Sequence, residues 1–177
     1  HNRGVGNLLD EVVKNFHFSS GDSSKNLDDS IKLALIGRPN VGKSSILNRI
    51  VGENRSLVDS RPGTTRDAVD VHIKFEGKQL TVIDTAGIRR KSRMVDKLEK
   101  FSVFRSVTCL EECDVAILVI DASEGATEGD ARVAGYAFEL RKPILIVVNK
   151  WDLVEDKNSK TTKNFTEKLH MDLRYIR

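Results

Sequence analysis

Gly37-Arg38-Pro39-Asn40-Val41-Gly42-Lys43-Ser44 fits the spacing G-x-x-x-x-G-K-[ST]. The apolar run 31–36 ahead of it predicts a buried strand, and the stretch 45–51 behind it predicts a helix. A strand, a glycine-rich loop and a helix in that order form a phosphate cradle. Main-chain N–H groups of the loop line an anion nest, and the positive end of the helix adds to it. The Lys43 ammonium is suited to the outer phosphates, and the Ser44 hydroxyl is placed to hold Mg²⁺. Gly37, Arg38, Pro39, Asn40, Val41, Gly42, Lys43, Ser44 and Ser45 are therefore the candidate phosphate-binding residues.

Outward from this loop, strands and helices alternate. Val69, Val71, Ile73 and Phe75 alternate with Asp70, His72, Lys74 and Glu76, a period of two with one wet face, as expected near a sheet edge. Glu76-Gly77-Lys78 supplies a tight turn into the run 80–83, making a hairpin. The continuous apolar runs 115–120 and 144–148 suit parallel strands covered on both faces. Helices are expected at 94–113, near 127–141 and over 162–176. The fold class that follows is a three-layer α/β sandwich with a mostly parallel sheet and one antiparallel edge strand. In such sheets ligands bind beyond the C-terminal strand ends, where the phosphate loop falls.

Two further motifs sit at strand ends. Asp84-Thr85-Ala86-Gly87 follows the strand 80–83, and its acid can support Mg²⁺ through water. Gly87 lets a main-chain N–H approach a terminal phosphate, whose departure frees the loop. Asn149-Lys150-Trp151-Asp152 follows the strand 144–148. The Asp152 carboxylate can accept from the ring N–H and the exocyclic amine of guanine, a donor pair adenine lacks. Two hydrogen bonds to a charged group, at about 1.5–3 kcal/mol each, favour guanine by roughly 100-fold or more. Asn149 can hold the loop and the purine, and the Lys150 stem can lie over the base; Trp151 is read as packing or partial cover. In the loop Pro62-Gly63-Thr64-Thr65-Arg66-Asp67 a threonine hydroxyl can complete the Mg²⁺ shell, Thr65 by choice and Thr64 otherwise.

Ahead of all this, Val5, Leu8, Leu9, Val12, Val13 and Phe16 recur at helical spacing over 4–17. This apolar stripe has nothing within its own stretch to bury against. The following segment, 19–30, contains Leu27 as its one apolar residue and reads as a flexible linker. The 177 residues, 39 % apolar and 31 % charged, suffice for one domain with a real core. No apolar run is long enough to span a bilayer, and no secretion signal opens the chain, so a cytoplasmic location is the default expectation. A net charge of +3 does not by itself point to nucleic acid. The cluster Arg89-Arg90-Lys91-Ser92-Arg93 is either a solvated loop or a phosphate-contacting surface for RNA or another anionic partner. Cys109 and Cys113, four apart on a helix, read as small buried or half-buried side chains, and the four histidines are scattered without a site.

G-x-x-x-x-G-K-S, T, D-x-x-G and N-K-x-D in this order resemble the translation-factor-related GTPases. The finer runs G-R-P-N-V-G-K-S-S, P-G-T-T-R-D, D-T-A-G-I-R-R and V-N-K-W-D are similar to the second G domain of the EngA/Der tandem GTPases, over roughly 31–177. Era-like and tRNA-modification GTPases share part of this pattern. Residues 1–18 resemble the last helix of that family's first G domain, and 19–30 its interdomain linker. The resemblance implies a P-loop NTPase (G-domain) fold, bound GTP or GDP with Mg²⁺, GTP hydrolysis as a switch, and a role in large ribosomal subunit assembly involving ribosomal RNA. It implies Lys43, Thr65 and Gly87 as catalytic, and Asp84, Thr85, Ala86, Gly87, Ile88, Asn149, Lys150, Trp151 and Asp152 as nucleotide-contacting. The resemblance implies a C-terminally truncated G domain: the family's final strand, its guanine-contacting loop and its last helix are expected after about residue 177. The strand 144–148 is then expected to be an open edge, with weaker nucleotide binding and a tendency to aggregate.

Ile88 stands where many GTPases carry the glutamine that orients the attacking water. Catalysis must then rest on positioning and on charge around the phosphates. The resemblance suggests K⁺ in that role with Asn40 as one ligand; the other reading of Asn40 is a turn residue tolerant of unusual backbone angles.

Overall fold

The computed structural model describes residues 3–15, 30–53, 70–85 and 107–174. Helix α1 spans Arg3–Asn15, strand β1 Ile31–Ile36, helix α2 Lys43–Glu53, and strands β2 and β3 Val71–Phe75 and Lys78–Val82. A helical segment at 107–112 leads to β4 (Val115–Asp121), followed by α3 (Glu128–Glu139), β5 (Ile144–Asn149), a 3-10 turn over Trp151–Leu153, and α4 (Thr161–Asp172). The expected helix over 94–106, Val69, the loop 62–67 and the basic cluster 89–93 lie outside the described residues.

Five strands form one sheet in the order β2-β3-β1-β4-β5. The β2–β3 pair is antiparallel and the other three pairings are parallel. The hairpin turn is made by Glu76 at φ 47° and Gly77 at φ 80°. Two successive left-handed residues match the right-handed twist of the flanking strands, which explains so tight a connection.

The period of two assigns the layers. On one face Leu33 and Leu35 of β1 and Ile117 and Val119 of β4 pack with Leu47 and Ile50 of α2. On the other, Ala34, Ile36, Leu118 and Ile120 meet Leu110 of the 107–112 segment, Val133 and Ala137 of α3, and Leu173 beyond α4. All seven residues of β4 are buried, whereas all six of β5 are only partly so. Among the described residues β5 is a sheet-edge strand, with one row of main-chain groups unpaired within the sheet.

The apolar stripe of the N-terminal segment finds its partner here. Leu8, Leu9 and Val12 of α1 are buried in the same cluster as α2 and the sheet. Lys78 Nζ also donates to the Val13 carbonyl at 3.4 Å. Leu9 is 1 % exposed, so Leu9→Ala is expected to cost about 2–5 kcal/mol of stability in urea unfolding. A loss below about 0.5 kcal/mol would mean that α1 does not pack this way in solution.

Candidate nucleotide-binding site

Three motifs converge at the C-terminal ends of β1, β3 and β5. The phosphate loop leaves β1 at Gly37, whose φ is 132°. A Cβ there would lie 2.5 Å from the Val119 carbonyl oxygen of β4, so the loop can turn this tightly only at glycine. Asn40 takes φ 63° and Gly42 φ 104°. The left-handed Asn40 meets the backbone demand anticipated for a turn residue. From Gly42 the chain enters α2, and Ile46 N–H donates to the Gly42 carbonyl at 3.0 Å. The Lys43 ammonium folds back across the loop, donating to the Gly37 carbonyl at 2.6 Å and to that of Arg38. It is thereby tied to the loop's own main chain.

The base-side motif is stitched to this loop. Asn149 Nδ2 donates to the Val41 carbonyl at 2.8 Å. A Cβ on Gly42 would come within 2.0 Å of the same amide nitrogen. Gly42 is thus required twice, for its φ and for the close approach of Asn149. Beyond Asn149 the chain turns sharply at Lys150, φ 58°. Lys150 Nζ pairs with Asp121 Oδ2 at 2.6 Å. Trp151 packs edge-on against Phe165, ring centroids 5.2 Å apart and planes at 85°, in line with its packing reading. Asp152 is exposed on the 3-10 turn.

At the end of β3, Asp84 adopts φ 49° and its main-chain N–H donates to Asp70 Oδ1 at 3.1 Å. The Cys109 thiol donates to Asp84 Oδ2 at 3.5 Å. Its pKa is pushed up to about 12, first by burial and then by the charge of Asp84, so it remains a donor at neutral pH. Cys113 is buried, with a pKa raised to about 11 chiefly by desolvation. Thr85 is fully buried.

Sequence reading missed several contacts. The side chain of Arg38, counted among the phosphate-binding residues, engages Glu124, in the connection from β4 to α3, at 2.8 Å and the buried Asp130, in the first turn of α3, at 3.1 Å. Burial works to lower its pKa, but the two carboxylates outweigh this and raise it. Asp130 Oδ2 also accepts from the N–H and hydroxyl of Thr127 at the start of α3. Asp121 is held at a pKa of about 2, first by Lys150 and then by Ser123. The stability this carboxylate contributes is complete above the ordinary carboxylate pKa and fades as pH falls toward 2. The one available signal was an acid ending the apolar run 115–120. Thr64, Thr65, Ala86, Gly87 and Ile88 lie outside the described residues.

The cradle fits a nucleotide. Its glycines carry no side chain at 37 and 42, its lysine is tied to the loop's own carbonyls, and the turn bearing Asp152 is joined to it through Asn149. Ser44 on the first turn of α2 and Asp84 at the end of β3 offer oxygen donors of the kind Mg²⁺ takes.

Residues 32–150 match the family model described as 50S ribosome-binding GTPase. The chain is 53 % identical over 173 residues to GTPase Der of Lachnospira eligens, covering 98 % of this chain and 38 % of that one. It is 48 % identical to GTPase Der of Clostridium perfringens over 98 % of this chain and 39 % of the relative. It therefore spans well under half the length of these relatives. Among solved structures, Era in complex with MgGDPNP and nucleotides 1506–1542 of 16S ribosomal RNA superposes with a TM-score of 0.58 at 27 % identity, covering 83 % of this chain and 48 % of Era. A single-residue variant of Aquifex aeolicus Era bound to GDP.AlF4- gives 0.54 at 29 % identity over 79 % of this chain and 46 % of that chain. Among the described residues no helix is long and apolar enough to cross a membrane.

Proposed function

The chain belongs to the 50S ribosome-binding GTPase family, and from that premise we propose that it binds guanine nucleotide and hydrolyses GTP to GDP and phosphate. The observation that carries the reading is the Asn149–Val41 hydrogen bond. It joins a turn bearing an exposed carboxylate, suited to guanine's donor edge, to a loop built for phosphates. One guanine nucleotide spans the two.

In this proposal Lys43 and the amides of 37–45 neutralise charge on the phosphates as the bond to the γ-phosphate breaks. Ser44 and Thr65 would hold Mg²⁺ with support from Asp84, and Gly87 would respond to the γ-phosphate. Mg²⁺, when bound, supplies charge neutralisation between the outer phosphates. Ile88 carries no group able to orient water, so main-chain groups or another element would do so, and Asn40 would offer an oxygen to K⁺.

At the level of the whole protein, the relatives' greater length and the family description support a longer GTPase that binds the 50S ribosome; with the motif resemblance, the reading extends to a tandem GTPase acting in large-subunit assembly in the bacterial cytoplasm. Residues 1–18 are then the last helix of a preceding G domain, 19–30 its linker, and 31–177 a second G domain whose final strand would pair beside β5. The cluster 89–93 is the candidate contact to RNA.

Phosphate release measured with GTP and ATP, in KCl and in NaCl, tests the reading. We expect release from GTP alone, and about tenfold or more faster in KCl, the equivalent of one charge-stabilising group at the phosphates. Equal rates in the two salts would remove the role of K⁺, and equal rates with ATP would remove the guanine assignment.

A further inference from the structure

Asp121 lies outside every nucleotide motif of the sequence, yet its side chain is 4 % exposed and meets three donors. Lys150 Nζ binds Oδ2 at 2.6 Å. The Ser123 N–H and hydroxyl bind Oδ1 at 2.9 and 2.6 Å. The surrounding main chain is equally tied. Asp121 stands opposite Asn149 in the β4–β5 register, Ala122 N–H donates to the Asn149 carbonyl at 2.8 Å, and Gly125 N–H donates to the Asp121 carbonyl at 2.9 Å. The lysine it grips sits at φ 58°, a backbone conformation a side-chain-bearing residue keeps only where its surroundings impose it.

We propose that Asp121 is a positioning residue for base recognition, its buried carboxylate clamping Lys150 at the left-handed corner between Asn149 and Asp152. The inference rests on the reading of 149–152 as the base-reading turn. Three features give the clamp its effect. First, the corner is held before any base arrives, so less ordering remains to oppose binding. Second, the ammonium is neutralised inside the protein, leaving the lysine stem to cover an aromatic face. Third, the stretch that begins at Asp121 grips Arg38 of the phosphate loop through Glu124 in the connection and Asp130 in the first turn of α3. One short segment therefore braces both halves of the cradle.

A merely structural ion pair predicts a different outcome from a positioning one. The test is a double-mutant cycle of Asp121→Asn with Lys150→Met, read by calorimetric titration with GDP and Mg²⁺ alongside thermal unfolding. Asp121→Asn is expected to weaken GDP about tenfold, the effect of one lost charge-assisted hydrogen bond. In the Lys150→Met background it should add less than about twofold, because its partner is already gone. An affinity loss below about twofold in the single variant, or penalties that multiply in the double variant, would overturn the proposal. If Asp121→Asn does not fold, Ser123→Ala replaces it, since Ser123 is exposed and touches only the far oxygen of the clamp. It should weaken GDP about two- to threefold in the native background and not in Lys150→Met; equal effects in both, or none, would overturn the proposal. Native protein that binds GDP and ADP alike would instead refute the base-reading turn itself.

Discussion

Asp152→Asn is expected to weaken GTP binding by roughly 100-fold or more and to turn preference toward XTP. The carboxylate offers two acceptors to guanine's ring N–H and exocyclic amine. The amide keeps one acceptor and replaces the other with a donor. Xanthine has a carbonyl where guanine has its amine, so acceptor and donor again meet complementary partners. Asp152 is exposed on the 3-10 turn after Lys150, so the substitution should leave folding intact, surface changes of this kind staying within about 0.5 kcal/mol. Competition between GTP and XTP measures the shift, and unchanged GTP preference would refute the assignment of Asp152.

Lys43→Ala is the second large effect. In the proposed complex the lysine brings the one full positive charge of the loop's G-K-S end to the phosphates, and in the structure it holds the Gly37 and Arg38 carbonyls. Its loss is expected to weaken GTP by about 100-fold or more and to abolish measurable turnover, two or more charge-assisted hydrogen bonds being removed together. Because the same ammonium ties the loop, the variant should also unfold about 2–4 °C lower without nucleotide, corresponding to about 1 kcal/mol. Titration with GTP and single-turnover phosphate release read the first effect; retained turnover would show that the nest acts without this charge.

What the sequence made legible were features whose physics is local. Gly37 and Gly42 had to be glycines because backbone and neighbours leave no room for a Cβ, and that requirement is written into the spacing of one loop. The hairpin at Glu76-Gly77 and the alternation of wet and dry residues in β2 are likewise short-range. The continuous apolar runs 115–120 and 144–148 announced parallel strands covered on both faces; β4 is buried throughout, whereas β5, at the edge of the sheet, is only partly buried. The contacts left unread are pairings between distant positions. Arg38 finds Asp130, and Lys150 finds Asp121, only once β4 is laid between β1 and β5. Periodicity identified the apolar stripe of α1 but not its partner, since burial against α2 and the sheet depends on where residues far along the chain come to rest. Thr65 and Gly87 were singled out by motif alone, and their placement lies outside the described residues.

In the proposed complex main-chain amides around Lys43 hold the phosphates while Asp152 selects the purine. Calorimetric titration of the chain with GDP and with ADP, each with Mg²⁺, is the decisive measurement. ADP is expected to bind roughly 100-fold or more weakly than GDP. Indistinguishable affinities for the two on folded protein would contradict it.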